Sequence, residues 1–176
     1  MEPEVHASPP PLRLFVALWP DPATREAVAQ WQNAWKWPDR AAPEKPERLH
    51  LTLHFLGNVP AQRVAALVGG LRVPCEPFSL ELGRGEVWPN GVAVLRPESV
   101  PPPLLALHAA LSQRVTDFGL PVDSRPFRPH ITLARRATGA RAPPRGPRLR
   151  WQADHGYVLV SSLPGGAGYK VLARFD

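Results

Sequence analysis

The sequence predicts one mixed α+β domain, and three observations carry that reading. Helical and extended patterns alternate along the chain, several strands are separated only by hairpin-type turns, and a tetrapeptide from one strand returns in a later one. Hairpins argue against a doubly wound parallel sheet, whose strands are joined by crossovers of about a dozen residues or more. With 176 residues the chain can bury a real core, and no linker or composition shift divides it, so 1–176 is read as a single domain.

The elements follow in order. Leu12–Leu18 (LRLFVAL) is a short apolar run that reads as a buried strand. Asp21 and Pro22 then supply a helix N-cap and a first-turn proline. The helix is expected to reach about Lys36, with Ala27, Trp31 and Ala34 or Trp35 inward. Residues 38–47 hold three prolines and read as a loop, and 49–55 alternates strictly as a strand. Residues 60–71 place Val64, Leu67, Val68 and Leu71 at helical spacing. Strands at 78–88 and 92–95 flank Pro89-Asn90-Gly91, where Asn-Gly is a strong hairpin signal.

A second round has similar content. Pro101 to Pro103 lead into a helix over 104–118 that Gly119 ends. Pro126 and Pro129 introduce a strand at 130–135, and 137–147 is a loop rich in arginine, proline and glycine. Residues 157–161 and Tyr169–Phe175 are the last strands, joined across Pro164-Gly165-Gly166. The 24 prolines concentrate in connections and at helix starts, where a fixed φ is tolerated.

Composition narrows the function classes. No run approaches the roughly 20 apolar residues of a membrane span, and the polar start at 1–11 lacks the apolar stretch of a secretory signal. Cys75 is the single cysteine, which rules out an intrachain disulfide and a cysteine metal cluster. The expected compartment is therefore the cytoplasm. The net charge is +6, and 18 of the 21 basic residues are arginines. Arg125, Arg128, Arg135, Arg136, Arg141, Arg145, Arg148 and Arg150 fall between Asp123 and Asp154 with no acid among them. The planar guanidinium fork suits phosphate, so a polyanionic partner competes with a merely solvated arginine loop.

The informative feature is the repeat: His50-Leu51-Thr52-Leu53 returns as His130-Ile131-Thr132-Leu133, 80 residues later. Strand side chains alternate faces, so each copy sets an imidazole and a hydroxyl on one side and aliphatic residues on the other. Two such strands facing a common groove would line it with two histidines and two threonines. Opening a cyclic phosphodiester needs a base for water and an acid for the departing oxygen, and a histidine pair divides those roles at neutral pH. Thr52, Thr132 and a nearby arginine, with Arg135 and Arg128 the candidates, would hold the non-bridging oxygens. Neither a metal nor a cofactor is called for. By alternation His54 shares the His50 face, in a solvated or supporting place. Phe55 falls on the apolar side and Trp88 at a rim, with stacking on a base as their functional alternative. His6, His108 and His155 have no repeated context.

Residues 50–57 (HLTLHFLG) and 125–135 (RPFRPHITLAR) resemble the two signature segments of the two-histidine phosphoesterases, and more narrowly of the RNA 2',3'-cyclic phosphodiesterases, also called 2'-5' RNA ligases. The resemblance extends over essentially the whole chain. It implies two pseudo-symmetric lobes, each a small antiparallel sheet with helices outside, around a central groove. It implies that His50 is the proton donor to the leaving oxygen and His130 the proton acceptor that activates water. Thr52, Thr132 and Arg135 would contact the phosphate. The implied substrate is an RNA end carrying a 2',3'-cyclic phosphate, such as a tRNA fragment, opened to a 2'-phosphomonoester by a monomer that uses no metal. Some members also join or cleave 2'-5' linkages. Arg128 departs from the usual pattern. Three other readings stay open: a phosphodiesterase of small nucleotides or 2'-5' oligonucleotides, an RNA-binding module without turnover, and a metal hydrolase built on His50, His54 and His130.

Overall fold

The computed structural model describes residues 7–176; the first six, with His6 and the beginning of the polar start, lie outside the described residues. In chain order the elements are β1 (Leu12–Leu18), α1 (Pro22–Asn33), β2 (Ala42–Pro43), β3 (Leu51–Val59), α2 (Val64–Gly70), β4 (Phe78–Val87), β5 (Ala93–Pro97), α3 (Pro102–Asp117), β6 (Ile131–Arg135), β7 (Leu149–Ala153), β8 (Tyr157–Ser162) and β9 (Tyr169–Phe175). The α+β class is as the sequence predicts. All strand pairs are antiparallel, in the order β7-β4-β5-β6-β3-β1-β8-β9, with β2 beside β6.

This order divides into two four-stranded lobes that meet at a narrow seam. β3 and β6 pair at one position, Leu51 opposite Ile131. These are corresponding residues of the repeated tetrapeptide, so a pseudo-twofold axis passes between them. The lobes are not consecutive halves of the chain. β4 to β7 make one, and the last two strands return to complete the other, β8 pairing with β1. The helices cross over as well: α1 packs against β7 of the second lobe, and α3 against β3 of the first.

Local chemistry accounts for the central strand. Leu14, Val16 and Leu18 of β1 join the main core, while Phe15 and Ala17 pack with Val158 and Val160 in a smaller cluster on the opposite face. A strand covered on both faces reads as a continuous apolar run, which is why LRLFVAL does not alternate. The N-cap of α1 is as expected: Thr24 donates its backbone N–H to Asp21 Oδ1 at 2.9 Å and its hydroxyl to Oδ2 at 2.7 Å. Its inner face differs from the sequence reading. Val28, Ala29 and Gln32 are the buried residues of the helix, with Trp35 beyond its end, whereas Ala27 and Trp31 are only partly covered. The rotation brings the Gln32 amide onto two carbonyls, at 2.9 Å from Glu44 O and 2.7 Å from Leu133 O. A polar residue satisfied by backbone is invisible to an apolar-period argument.

β2 falls within the 38–47 segment expected to be a loop, and β7 within 148–156, which the sequence pattern assigns to no element. β2 has two residues, and β7 is an edge strand whose outward Arg150 and Gln152 hide the inward Leu149, Trp151 and Ala153. The β4–β5 hairpin turns where expected, with Gly91 at φ +82 and its N–H donated to Trp88 O at 2.9 Å. Among the described residues no helix is long and apolar enough to cross a membrane.

Candidate active site

His50 and His130 each stand one residue before their strands, and each is fixed by the same contact. His50 Nδ1 lies 2.6 Å from Arg48 O, and His130 Nδ1 lies 2.7 Å from Arg128 O. A carbonyl only accepts, so Nδ1 carries the hydrogen in both rings and Nε2 is left for the groove. Both histidines, Thr52, Thr132 and Arg135 line one cavity of about 820 Å³ between the lobes. The structure thus brings together the four residues singled out from the repeat and Arg135 beyond it.

Beyond the shared contact the two imidazoles differ. Thr52 Oγ1 is 2.9 Å from His50 Nε2, whereas His130 Nε2 has no hydrogen-bond partner among the described residues. The His50 ring is stacked on Phe15 (4.9 Å) and Trp19 (5.5 Å), with Tyr169 edge-on at 5.4 Å. This burial pushes its pKa down from 6.5 to about 4; the Arg48 carbonyl opposes the shift, and the charges of Arg25, His130 and Arg135 add to it. His130 meets Trp88 edge-on at 4.5 Å. Its pKa is also lowered, chiefly by burial and further by Arg128, Arg96 and Arg135, against the pull of its own carbonyl contact.

Strict alternation fails just past each motif, at the same place. Ala17 pairs with Thr52 and Val16 with His54, so Leu53 is an extra residue on β3. Val94 pairs with Thr132 and Ala93 with Ala134, so Leu133 is the matching extra residue on β6. A bulge of this kind re-aims every side chain that follows. Hence His54 turns into the core at 5% exposure, and Phe55 turns out into the groove at 67%. Both are corrections to the alternating pattern, which set His54 beside His50 and Phe55 inward. In the second copy the bulge buries Ala134 and delivers Arg135 to the groove, where its Nε is 3.6 Å from Glu44 Oε1. Leu133 O, the carbonyl of the extra residue, accepts from Glu44 N at 2.8 Å and from Gln32 Nε2 at 2.7 Å.

With His54 turned away, the arrangement of His50, His54 and His130 needed for the metal reading is not formed. His54 Nε2 instead lies 2.9 Å from His108 O and 3.2 Å from Ser112 Oγ on α3. Burial lowers the pKa of His54, and burial with the neighbouring His54 lowers that of His108 to about 4. Both rings resist protonation in the folded protein and bind protons more readily once unfolded. The contribution of His108 is therefore full above about pH 6.5 and is lost as pH falls toward 4, and that of His54 is lost in the same direction. Melting temperature should drop over that window, and His108→Phe should flatten the drop; an unchanged slope in that variant would remove His108 from the account.

Sequence reasoning missed Glu44, Phe15, Trp19 and Tyr169 as parts of the site. The missed aromatics lie in the first lobe and pack as the small apolar cluster on its groove face. Phe15 left one signal, as the groove-facing member of a run too apolar to alternate. Among the described residues the groove's other charged lining residues are Arg13, Arg48 and Arg125, with Glu44 the one acid, which leaves a surface suited to an anion.

Comparison with known proteins agrees with this geometry. The model of the 2'-5' RNA ligase superfamily matches residues 19–160. The RNA 2',3'-cyclic phosphodiesterase of Escherichia coli K12 is 36% identical over 161 residues, covering 89% of this chain and 90% of the relative. The Thermus thermophilus protein of the same name is 32% identical over 185 residues, covering 94% and 90%. The solved structure of E. coli LigT complexed with 3'-AMP superposes with a TM-score of 0.83 at 31% identity, over 94% of this chain and 97% of that one. Fold, repeated motifs and relatives converge: the chain belongs to the 2'-5' RNA ligase superfamily of two-histidine phosphoesterases.

Proposed function

We propose that this chain hydrolyses RNA-terminal 2',3'-cyclic phosphates to 2'-phosphomonoesters, with His130 as base and His50 as acid. The observation that carries the reading is the pair of imidazoles, each fixed through Nδ1 by a carbonyl two residues back and each offering Nε2 to one arginine-lined cavity. The names of the relatives and the 3'-AMP held by E. coli LigT support the substrate class.

The chemistry needs two proton transfers. His130 Nε2, with its lone pair open to the groove, takes a proton from water as the water oxygen bonds to phosphorus. The bond from phosphorus to the ribose 3'-oxygen breaks, and that oxygen takes the proton from His50 Nε2. A ribose 5'-hydroxyl in place of water would give a 2'-5' linkage by the same steps. Thr52, Thr132 and Arg135 face the charge that gathers on the non-bridging oxygens. Phe55, exposed in the groove, offers a flat face to the terminal base. No residue's role in this scheme calls for a metal.

The direct test supplies an RNA oligomer ending in a 2',3'-cyclic phosphate, in EDTA, and resolves the product isomers. A 2'-phosphate product is expected; a 3'-phosphate product, or loss of turnover to the chelator, would refute the scheme. Protonation gives a second expectation. Burial holds both imidazoles below the ordinary 6.5 in the free protein, and the reactive form carries one proton on the pair. The optimum of kcat/KM should therefore fall on the acid side of pH 6.5. Bound phosphate, being anionic, favours the charged imidazole, so the optimum of kcat should lie at higher pH. Coincident optima for the two parameters would mean that the bound phosphate does not recharge the pair.

A further inference from the structure

A second cavity of about 400 Å³ opens beside His130 and shares Thr52, Phe55, Trp88, Asn90, Arg125 and His130 with the main groove. One wall is a column of flat rings: His108 is stacked on His54 at 4.2 Å and 21°, and on Phe127 at 3.8 Å and 12°. Phe127 ends the column half-buried, covered by His108 on one face and bordering the cavity. Two guanidinium groups border the same space. Arg128 lies over the Trp88 ring at 4.5 Å, and Arg125 is held to Asp123 at 2.6 Å. An aromatic face beside arginines is the combination that binds a nucleotide within a strand, the ring stacking a base and the cation meeting a phosphodiester.

Hydrolysis of a cyclic phosphate occupies the main groove with one nucleotide, its phosphate at the two histidines. An RNA end has more to place, because its terminal ribose continues through the 5'-phosphate to the preceding nucleotide. Resting on the phosphodiesterase reading above, we propose that the cavity beside His130 is a subsite for that preceding nucleotide. Its base extends the ring column on Phe127, and its phosphodiester faces Arg125 and Arg128. The enzyme is then built for oligonucleotide ends, and mononucleotide cyclic phosphates fill only half of its site.

The test compares kcat/KM for adenosine 2',3'-cyclic phosphate with that for the dinucleotide ApA bearing the same cyclic end. The dinucleotide should be favoured by about tenfold, the scale of one stacked base. Phe127→Leu keeps the apolar volume and removes the ring; it should bring the dinucleotide down to the mononucleotide value and leave the mononucleotide within about twofold. Phe127→Tyr, which restores a ring, should recover the preference. Equal wild-type values for the two substrates would overturn the subsite. So would a Phe127→Leu loss shared equally by both, which would place the terminal base itself in this cavity. Absence of turnover on either substrate would instead defeat the phosphodiesterase reading, and the subsite with it.

Discussion

His130→Ala should lower kcat on a 2',3'-cyclic RNA end by about three orders of magnitude, within the range general acid–base groups contribute, while the melting temperature stays close to that of the parent. The ring is anchored by one backbone contact, meets only the edge of Trp88 and faces the groove, so its removal leaves no void in the core. His50→Ala should cost as much in kcat, yet it leaves a gap between Phe15 and Trp19 and some stability is lost with it. His50→Gln, which keeps bulk between those rings, separates the two effects: its activity should remain down by a similar factor while its stability recovers. The double variant should be little worse than either single one, because acid and base serve one displacement. Near-normal turnover in either single variant, with the protein folded, would overturn the pairing. Retention of an RNA-binding signal without turnover in the parent would favour the binding-module alternative.

How much of this was legible in the sequence depends on whether a feature is local. The Asp21 cap, the Asn90-Gly91 turn and the doubly covered β1 are written in adjacent residues and were predicted where they stand. The lobe assignment is not local. Nothing in Tyr157–Ser162 says that it will join the edge of β1 rather than the sheet formed just before it. Likewise α1 and α3 pack against the lobes other than those their sequence neighbours suggest. The repeat was legible, and with it the histidines and threonines.

The bulges were not legible in the first copy, because HLTLHF continues to read as alternating through the residue where alternation ends. The second copy held the signal. Strict alternation from His130 would send Arg135 into the core and Ala134 into the groove, an arrangement that buries an unpaired charge and is therefore excluded. One extra residue at Leu133 resolves the conflict, and the 80-residue correspondence then demands another at Leu53. Phe55 and Arg135 are thus equivalent positions, both turned into the groove by the same device. The first lobe supplies a ring and the second a cation.

Gln32→Leu should lower the melting temperature by about 10 °C and kcat/KM by ten- to hundredfold, with no residue of the groove altered. The bulge at Leu133 frees a carbonyl from the sheet ladder, and buried carbonyls must be paired. Gln32, at 3% exposure, supplies its amide to that carbonyl and to Glu44 O, so one side chain ties α1 to the bulge and to the segment carrying Glu44. Leucine fills similar space but leaves Glu44 O without its donor and Leu133 O with only Glu44 N, a cost of about 3 kcal/mol. The chain can lessen that cost by letting the bulge relax. Arg135 leaves the groove as it does so, because the bulge turns its side chain to that face. Thermal melts and phosphodiesterase kinetics on the same preparation decide the matter. A Gln32→Leu protein that melts lower but turns over normally would show that Gln32 supports the fold without aiming Arg135. An unchanged melting temperature would show that the two carbonyls find other donors. Loss of both together, with Gln32→Glu recovering neither because a carboxylate cannot donate, would establish that a residue outside the groove holds half of the phosphate-binding face in register.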